Sequence, residues 1–402
     1  SHSLCGATYS LFGGLPVWTM LLISSALAGP VEFAPEAQVR PRAEANNGRD
    51  GAPGGGEIFI SQRTRLGGLV AQGDVSVRVV VQDVRSWGEE FDTKADYAAD
   101  NLDIYVGYAT WQPTESVKAH VGRLVLPIHE QRLMSSNPWS QQERRFDGAH
   151  VEWKANDFSG DVAGLLLADS DTPANDGDAL LGVMRAGWSV DGSQLDVLYL
   201  ALSDTGRERL SHTAGVYTRG EAGIVSGRLE SYVQAGRRDG GPVLGWMLGV
   251  KGTLAPEVES KPRFSLWYDH LSGESSVGNG VNNTFDLLFG SGHRFYGHMD
   301  VMAISVGGAQ DLRGLQDLAV GFDVSPVEEL RLGLDAHYFL PSAQLNGAAN
   351  LGSEIDGTAS VEVAKNLNLL AGGAVLFRPG AGEIDQLAYL MVDASLQTKK
   401  PR

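Results

Sequence analysis

From residue 31 onward, apolar and polar positions alternate with a period of two. Val31, Phe33, Ala37 and Val39 are interleaved with Glu32, Glu36, Gln38, Arg40 and Arg42; Val75, Val77, Val79 and Val81 with Ser76, Arg78 and Gln82. Further along, Leu330, Leu332, Leu334, Ala336 and Tyr338 alternate with Arg331, Asp335 and His337. Ile355, Val361 and Val363 do the same with Glu354, Asp356, Thr358, Ser360 and Glu362. A period of two gives a strand one apolar and one polar face. No helical period is sustained over a comparable length.

The alternating segments predict eighteen strands, at 31–44, 56–69, 74–85, 101–111, 116–124, 146–155, 160–168, 181–190, 194–202, 209–218, 223–235, 243–253, 262–271, 315–325, 329–340, 352–363, 367–377 and 386–397. Most are about ten residues, the length of a tilted strand crossing a hydrocarbon core. Their connectors alternate between short (112–116, 190–194, 218–222, 325–329) and long (86–100, 125–145, 169–180, 272–314). An even strand count with that alternation predicts an all-β fold, a transmembrane antiparallel β-barrel with short periplasmic turns and long extracellular loops. A soluble sandwich also alternates, but its polar face meets bulk water. A propeller would show a repeat of about 40–45 residues, and none is visible. In a barrel the apolar parity touches lipid and the polar parity lines the lumen.

Composition sharpens this picture. The chain has 402 residues and a formal charge of −17, which argues against a nucleic-acid partner. Residues 1–28 contain no Lys, Arg, Asp or Glu, and the apolar run within 15–29 ends in Ala26-Leu27-Ala28. That is the small-x-small pattern of a secretory signal, predicted to be cleaved after Ala28 and to leave a barrel over 29–402. Cys5, the only cysteine, falls in that leader, so disulfides and cysteine chemistry are not expected. No later stretch of about 18 apolar residues exists to form a spanning helix.

Several motifs resemble the alginate-export family of outer-membrane porins: RTRLGG (63–68), VVVQDVRSWGEE (79–90), VGR (121–123), QRL (131–133) with Trp139, RRFDGA (144–149), and YGHMDV (296–301) followed by GLQDL (314–318). SPVEELRLGLDAHYF (325–339) and LGSEIDGTASVEVAKNLNLLAGG (351–373) are similar to it too. The resemblance implies an eighteen-stranded barrel whose pore is lined by arginines and partly occluded by inward loops. It implies the outer membrane of a Gram-negative bacterium as the location. The last strand, in YLMVDASLQTKKPR (389–402), departs from the family by lacking the aromatic end that barrel-assembly machinery reads.

An anion crossing a pore needs cations that are always charged and fixed in direction, and arginine meets that need through its planar guanidinium. Strand parity predicts Arg40, Arg42, Arg63, Arg65 and Arg78 on the lumen, with Glu36 and Glu44 able to pair with them. The family motifs add Arg123, Arg132, Arg144 and Arg145. At 144–153, RRFDGAHVEW, the two arginines stand where a long loop re-enters the barrel and Asp147-Gly148 is expected to turn into the strand. Val151 and Trp153 then face lipid, and His150 and Glu152 face water.

Enzyme signatures are missing: no Gly-x-Ser-x-Gly elbow and no His-Glu-x-x-His pair occurs. His293, His298 and Asp300 suggest a metal only weakly, and the acidic loop 168–179 lacks EF-hand spacing. No cofactor or metal is therefore expected. The expected partners are outer-membrane lipid, the barrel-assembly machinery, and anionic small solutes or a polyuronate such as alginate. Two functions fit: a channel for diffusion or export of anionic solutes, or a plugged barrel acting as surface receptor, adhesin or structural partner.

Overall fold

The computed structural model describes residues 29–47, 57–88, 102–171, 177–274, 280–302, 313–343, 350–379 and 384–397. The predicted leader and most of the long loop 86–100 lie outside them, as do 172–176 of the acidic loop.

Eighteen antiparallel strands form one closed sheet. In chain order they are β1 (Glu32–Asn46), β2 (Glu57–Gln72), β3 (Val75–Ser86), β4 (Leu102–Thr114), β5 (Val117–Leu124), β6 (Phe146–Ala155), β7 (Phe158–Ala168), β8 (Ala179–Val190) and β9 (Ser193–Asp204). They continue as β10 (Arg209–Ala222), β11 (Val225–Arg238), β12 (Gly241–Leu254), β13 (Arg263–Leu271), β14 (Leu315–Val327), β15 (Leu330–Leu340), β16 (Gly352–Ala364), β17 (Leu367–Phe377) and β18 (Ile384–Gln397). Each strand pairs with its sequence neighbours, and β1 also pairs with β18, from Glu36↔Gln397 to Asn46↔Leu387. That pairing leaves no free edge.

The strands join on one rim through tight turns, and both ends of the barrel segment lie there, which marks this rim as periplasmic. Asn156 (φ 52°), Asp191 (φ 47°) and Asn366 (φ 68°) take the left-handed conformation that two-residue hairpins require. Strands run further toward this rim than the sequence pattern indicates. Residues 218–222, expected as a turn, belong to β10, and the turn shrinks to 223–224. On the opposite rim β11 and β12 are joined by residues 239–240 alone.

Parity holds around the barrel. Val77, Val79, Val121, Val151, Trp153, Val197, Val320 and Leu334 are exposed on the outer face. His150 is buried inward, bonded to Asp161 at 2.9 Å and stacked on His120.

The lumen, however, is not uniformly polar. Inward positions Leu165, Leu181, Val183, Leu198, Leu200 and Leu202 on β7–β9 are buried and apolar. Two long connections fold into the barrel and need an apolar bed. Leu126, Ile128, Leu133 and Met134 of 125–145 pack there with Phe285, Phe295, Tyr296 and Met299 of the β13–β14 connection. Burying a large apolar side chain contributes about 1.5–3 kcal/mol, so this inner core holds the loops down. The polar-lumen rule gives way where loop replaces water.

Placing a charge on the lipid parity tests the register. Val320, in the middle of β14 and 53% exposed, should lose about 2–4 kcal/mol of barrel stability on Val320→Arg, the cost of an arginine near the bilayer midplane. Thr358→Arg, on the inward parity beside Gly333 and Asp323, should stay within about 0.5 kcal/mol. Reversible urea unfolding in phospholipid vesicles measures both; equal costs would refute the assignment of faces.

Candidate functional site

On β1–β3 the inward arginines form a column running from the outer to the periplasmic half. The register sets Arg42 against Ser61, Arg40 against Arg63, and Gln38 against Arg65, with Arg78 further down on β3. Arg42 bonds Glu44 at 2.8 Å, and Arg78 grips Glu36 with two bonds of 2.8 and 2.7 Å. Glu44 sits two residues along the same face from Arg42, and Glu36 on β1 faces the lumen two strands across from Arg78 on β3, so pairing and parity come together. Arg65 bonds Gln82 at 2.8 Å and stacks over the Tyr105 ring.

Segment 138–143 of the first inward loop lies along this column. Arg40 donates to the carbonyls of Pro138 (2.8 Å) and Ser140 (3.0 Å) and to the Gln141 side chain (3.1 Å). Arg42 donates to the Trp139 carbonyl and stacks on its ring at 3.8 Å. Glu143 takes Arg63 at 2.7 Å, Arg65 at 3.3 Å and the Tyr105 hydroxyl. Burial alone would raise the Glu143 carboxyl, but Arg63 and Arg65 outweigh it and hold the group below the usual carboxylate range. Above the segment lies a cavity of about 600 Å³ touching Arg42, Glu44 and Trp139. Below it lies one of about 260 Å³ touching Arg63, Arg65, Arg78 and Glu143.

Arg132 fastens the same loop to the far wall. It is 1% exposed and bonds Asp269 of β13 twice (2.6 and 3.0 Å), Glu230 of β11 (3.3 Å) and the Tyr296 hydroxyl (2.8 Å). Tyr296 opens the motif YGHMD, and the rest of that motif is also a fastening. The Met299 amide donates to Glu354 of β16 at 2.8 Å. At Gly297 (φ 81°) any side chain would overlap the Glu354 carboxyl, so only glycine fits. His293 stacks on Trp139 at 4.0 Å and on His298 at 4.5 Å, locking one loop to the other. Burial, His293 and His337 push His298 down to about 3, so it is a neutral packing group at physiological pH. The histidines and Asp300 serve packing; no cluster of metal-ligand type is present among the described residues.

A second cationic surface lies near the periplasmic rim of β10–β13. Arg219, Arg228 and Lys251 are register partners on three adjacent strands, one rung across the wall. Arg263 joins them around a cavity of about 210 Å³, adjacent to one of about 390 Å³ that holds Arg185 and His129. Arg228 pairs with Glu230 at 3.1 Å. Arg219, Lys251 and Arg263 make no ion pair among the described residues. Sequence reasoning missed this rung because it placed 218–222 in a turn and weighed arginines only in the first eight strands. The inward parity of Arg228 and Lys251 within their strands was the available signal.

The arginines suggested by family motif land elsewhere than expected. Arg123 shares the outward parity of Val121 and is chelated by Asp147 at 2.8 and 2.9 Å, so it does not line the lumen. Asp147-Gly148 accordingly lies inside β6 rather than forming a turn: its side chain answers a cross-strand arginine. Arg145 reaches Asp103 at the outer end of β4. Arg144 donates to the carbonyls of Phe289 and Ser135, tying the two inward loops together. Arg132 is a buried clamp. Of the candidates, Arg40, Arg42, Arg63, Arg65, Arg78, Glu36 and Glu44 converge on one column.

A family model described as alginate export matches residues 31–386. Comparison with curated proteins gave no match. Among solved structures, Pseudomonas aeruginosa OpdK with vanillate superposes with a TM-score of 0.64 at 13% identity, covering 91% of this chain and 99% of that one. A BenF-like porin from Pseudomonas fluorescens Pf-5 gives 0.64 at 13% identity, with 91% and 99% covered. Acinetobacter baumannii OccAB4 gives 0.64 at 11% identity, with 91% and 98% covered. At such identities the likeness is one of fold.

Two measurements probe the fastening. Arg132→Met leaves Asp269, 0% exposed, without its cation and leaves Glu230 only Arg228, and should cost about 3–5 kcal/mol in barrel unfolding. Because the Glu143 carboxyl is depressed, its grip is full above the usual glutamate value of about 4.3 and is lost as pH falls through its lower folded value. Amide exchange at 139–143, corrected for intrinsic rates, should stay constant from pH 7 to about 5 and accelerate under stronger acid. Glu143→Gln should abolish that pH step.

Proposed function

Since the chain belongs to the alginate export family and folds as a closed outer-membrane porin barrel, we propose that it conducts anionic solutes across the outer membrane. The observation that carries this reading is the pair of inward cationic surfaces on opposite walls. The β1–β3 column and the Arg219–Arg228–Lys251 rung flank the inward loops. Arginine pairs a carboxylate through two parallel bonds and cannot lose its charge at physiological pH, so each surface attracts an anion without fixing it by a proton. Field lines in a narrow low-dielectric lumen are screened less than at an open surface. An overall charge of −17 does not oppose this, since the acidic excess need not face the path. A polyuronate such as alginate and smaller carboxylates share this chemistry, and the family relation supports the former.

A plugged barrel serving as surface receptor or structural partner has one observation in its favour. The inward loops are packed on an apolar bed and clamped by Arg132, as a plug would be. Conductance separates the two.

Reversal potentials of single channels under a potassium chloride gradient test the proposal. The native protein should prefer chloride. Replacing Arg65, Arg78, Arg219 and Lys251 together by Gln should reduce or reverse that preference. The difference should be largest at low salt, because the Debye length is about 8 Å at physiological ionic strength and grows on dilution. Equal cation and anion permeability in the native protein, or no conductance, would refute the channel reading and favour the receptor.

A further inference from the structure

Within the β1–β3 column, the groups that an anionic solute would need are already engaged by the chain's own loop. Four successive residues, Pro138 to Gln141, present oxygen acceptors to Arg40, Arg42 and Arg63, and then a full carboxylate follows at Glu143. The arrangement copies what a carboxylate-bearing solute would offer the same guanidinium groups. We infer that Arg63, Arg65 and the Tyr105 hydroxyl form a carboxylate-binding subsite, and that Glu143 fills it in cis as an internal competitor. The inference rests on the anion-channel reading and names the chemistry its path selects: a compact carboxylate, such as a single uronate ring.

Three features together suit this pair to exchange. First, the site is not saturated by Glu143. The Nε of Arg63 is buried without an acceptor, and Arg65 Nη2 reaches Glu143 only at 3.3 Å without a hydrogen bond. Leaving such donors unmade is costly, and an incoming carboxylate offers them an acceptor. Second, Glu143 holds a left-handed backbone (φ 54°), a region that L side chains other than Asn and Asp rarely adopt. The bonds to Arg63 and Arg65 hold it in that conformation. Third, the adjoining cavity of about 260 Å³ gives room beside the arginines. Drug-sized ligands occupy cavities of about 300–1,000 Å³, so this one suits something smaller. Exchange is isocoulombic: an incoming carboxylate replaces Glu143 and leaves the column's charge balance unchanged. An uncharged sugar has no such exchange available.

Calorimetry on the detergent-solubilised full chain tests this with sodium glucuronate as probe and glucose as uncharged control. Glu143→Gln removes the competitor and should tighten glucuronate binding at least tenfold, with glucose unaffected. Adding Arg65→Gln to that variant should abolish the gain. In bilayers, glucuronate should block chloride current through Glu143→Gln at correspondingly lower concentration than through the native channel. Equal glucuronate affinity in native and Glu143→Gln protein overturns the inference. If Glu143→Gln lacks the heat-modifiable gel shift of a folded barrel, Glu143→Asp decides. Its shorter reach should tighten binding by a smaller factor, and no change there overturns the inference equally. Native selectivity is read separately: an unselective native channel would count against the proposed function, while calorimetry still decides the subsite.

Discussion

Everything in this molecule depends on the hydrogen-bonded closure of β1 on β18. Inside a bilayer no water is available to an unpaired amide or carbonyl, and each such group would cost several kcal/mol. A sheet can therefore cross only if it has no edge. The pairing from Glu36↔Gln397 to Asn46↔Leu387 removes the last one. Closure also fixes which side of every strand faces lipid, because a one-residue slip would turn every side chain over. The column of inward arginines on β1–β3 exists because the β1–β2 register aligns Arg40 with Arg63 and Gln38 with Arg65.

Closure creates an interior that must be filled or left wet, and the protein does both. On the outer half of β7–β9 the wall is apolar on both faces, and the inward loops complete a core there. Lower down, the same strands carry Asp161, Arg185 and Asp196, and the interior opens into a polar cavity. One buried cation adds a second kind of hold on the loop. Arg132 spans from the loop to Asp269 and Glu230, so the loop is held both by apolar burial and by charge. Apolar packing gives the loop its adhesion; the ion pairs give it a single position.

The two cationic surfaces are neutralised to different degrees, and that difference shapes how each could act on an anion. In the β1–β3 column nearly every guanidinium meets a carboxylate, a loop carbonyl or an aromatic face, which holds it rigid in the interior. On the periplasmic rung, Arg219 and Lys251 keep their charge uncompensated by ion pairs among the described residues. A solute meeting the rung would find these two cations without a direct ion pair, beside Glu130 and Glu221; at the column it would meet competition from residues 138–143. Rigidly held and directly unpaired cations thus stand on opposite walls of the barrel.

The sequence by itself determined the period of two, the eighteen strands, the parity of Val77 against Arg78, and the inward arginines of β1–β3. These are local consequences of side-chain alternation, and a chain read one residue at a time carries them. What it could not carry was any contact made across the lumen. Arg132, Arg144 and Tyr296 sit in segments with no period at all, so their roles as clamps depend on partners about 100 or more residues away. Arg123 looked like a pore residue because its motif said nothing of the face it takes. Arg219 was hidden because strands extend past the point where hydrophobic alternation fades near the water. Parity with Val121 already set Arg123 outward, but only tertiary structure decided the clamps, since which carboxylate neutralises a buried cation is set by closure of the ring and not by the neighbours along the chain.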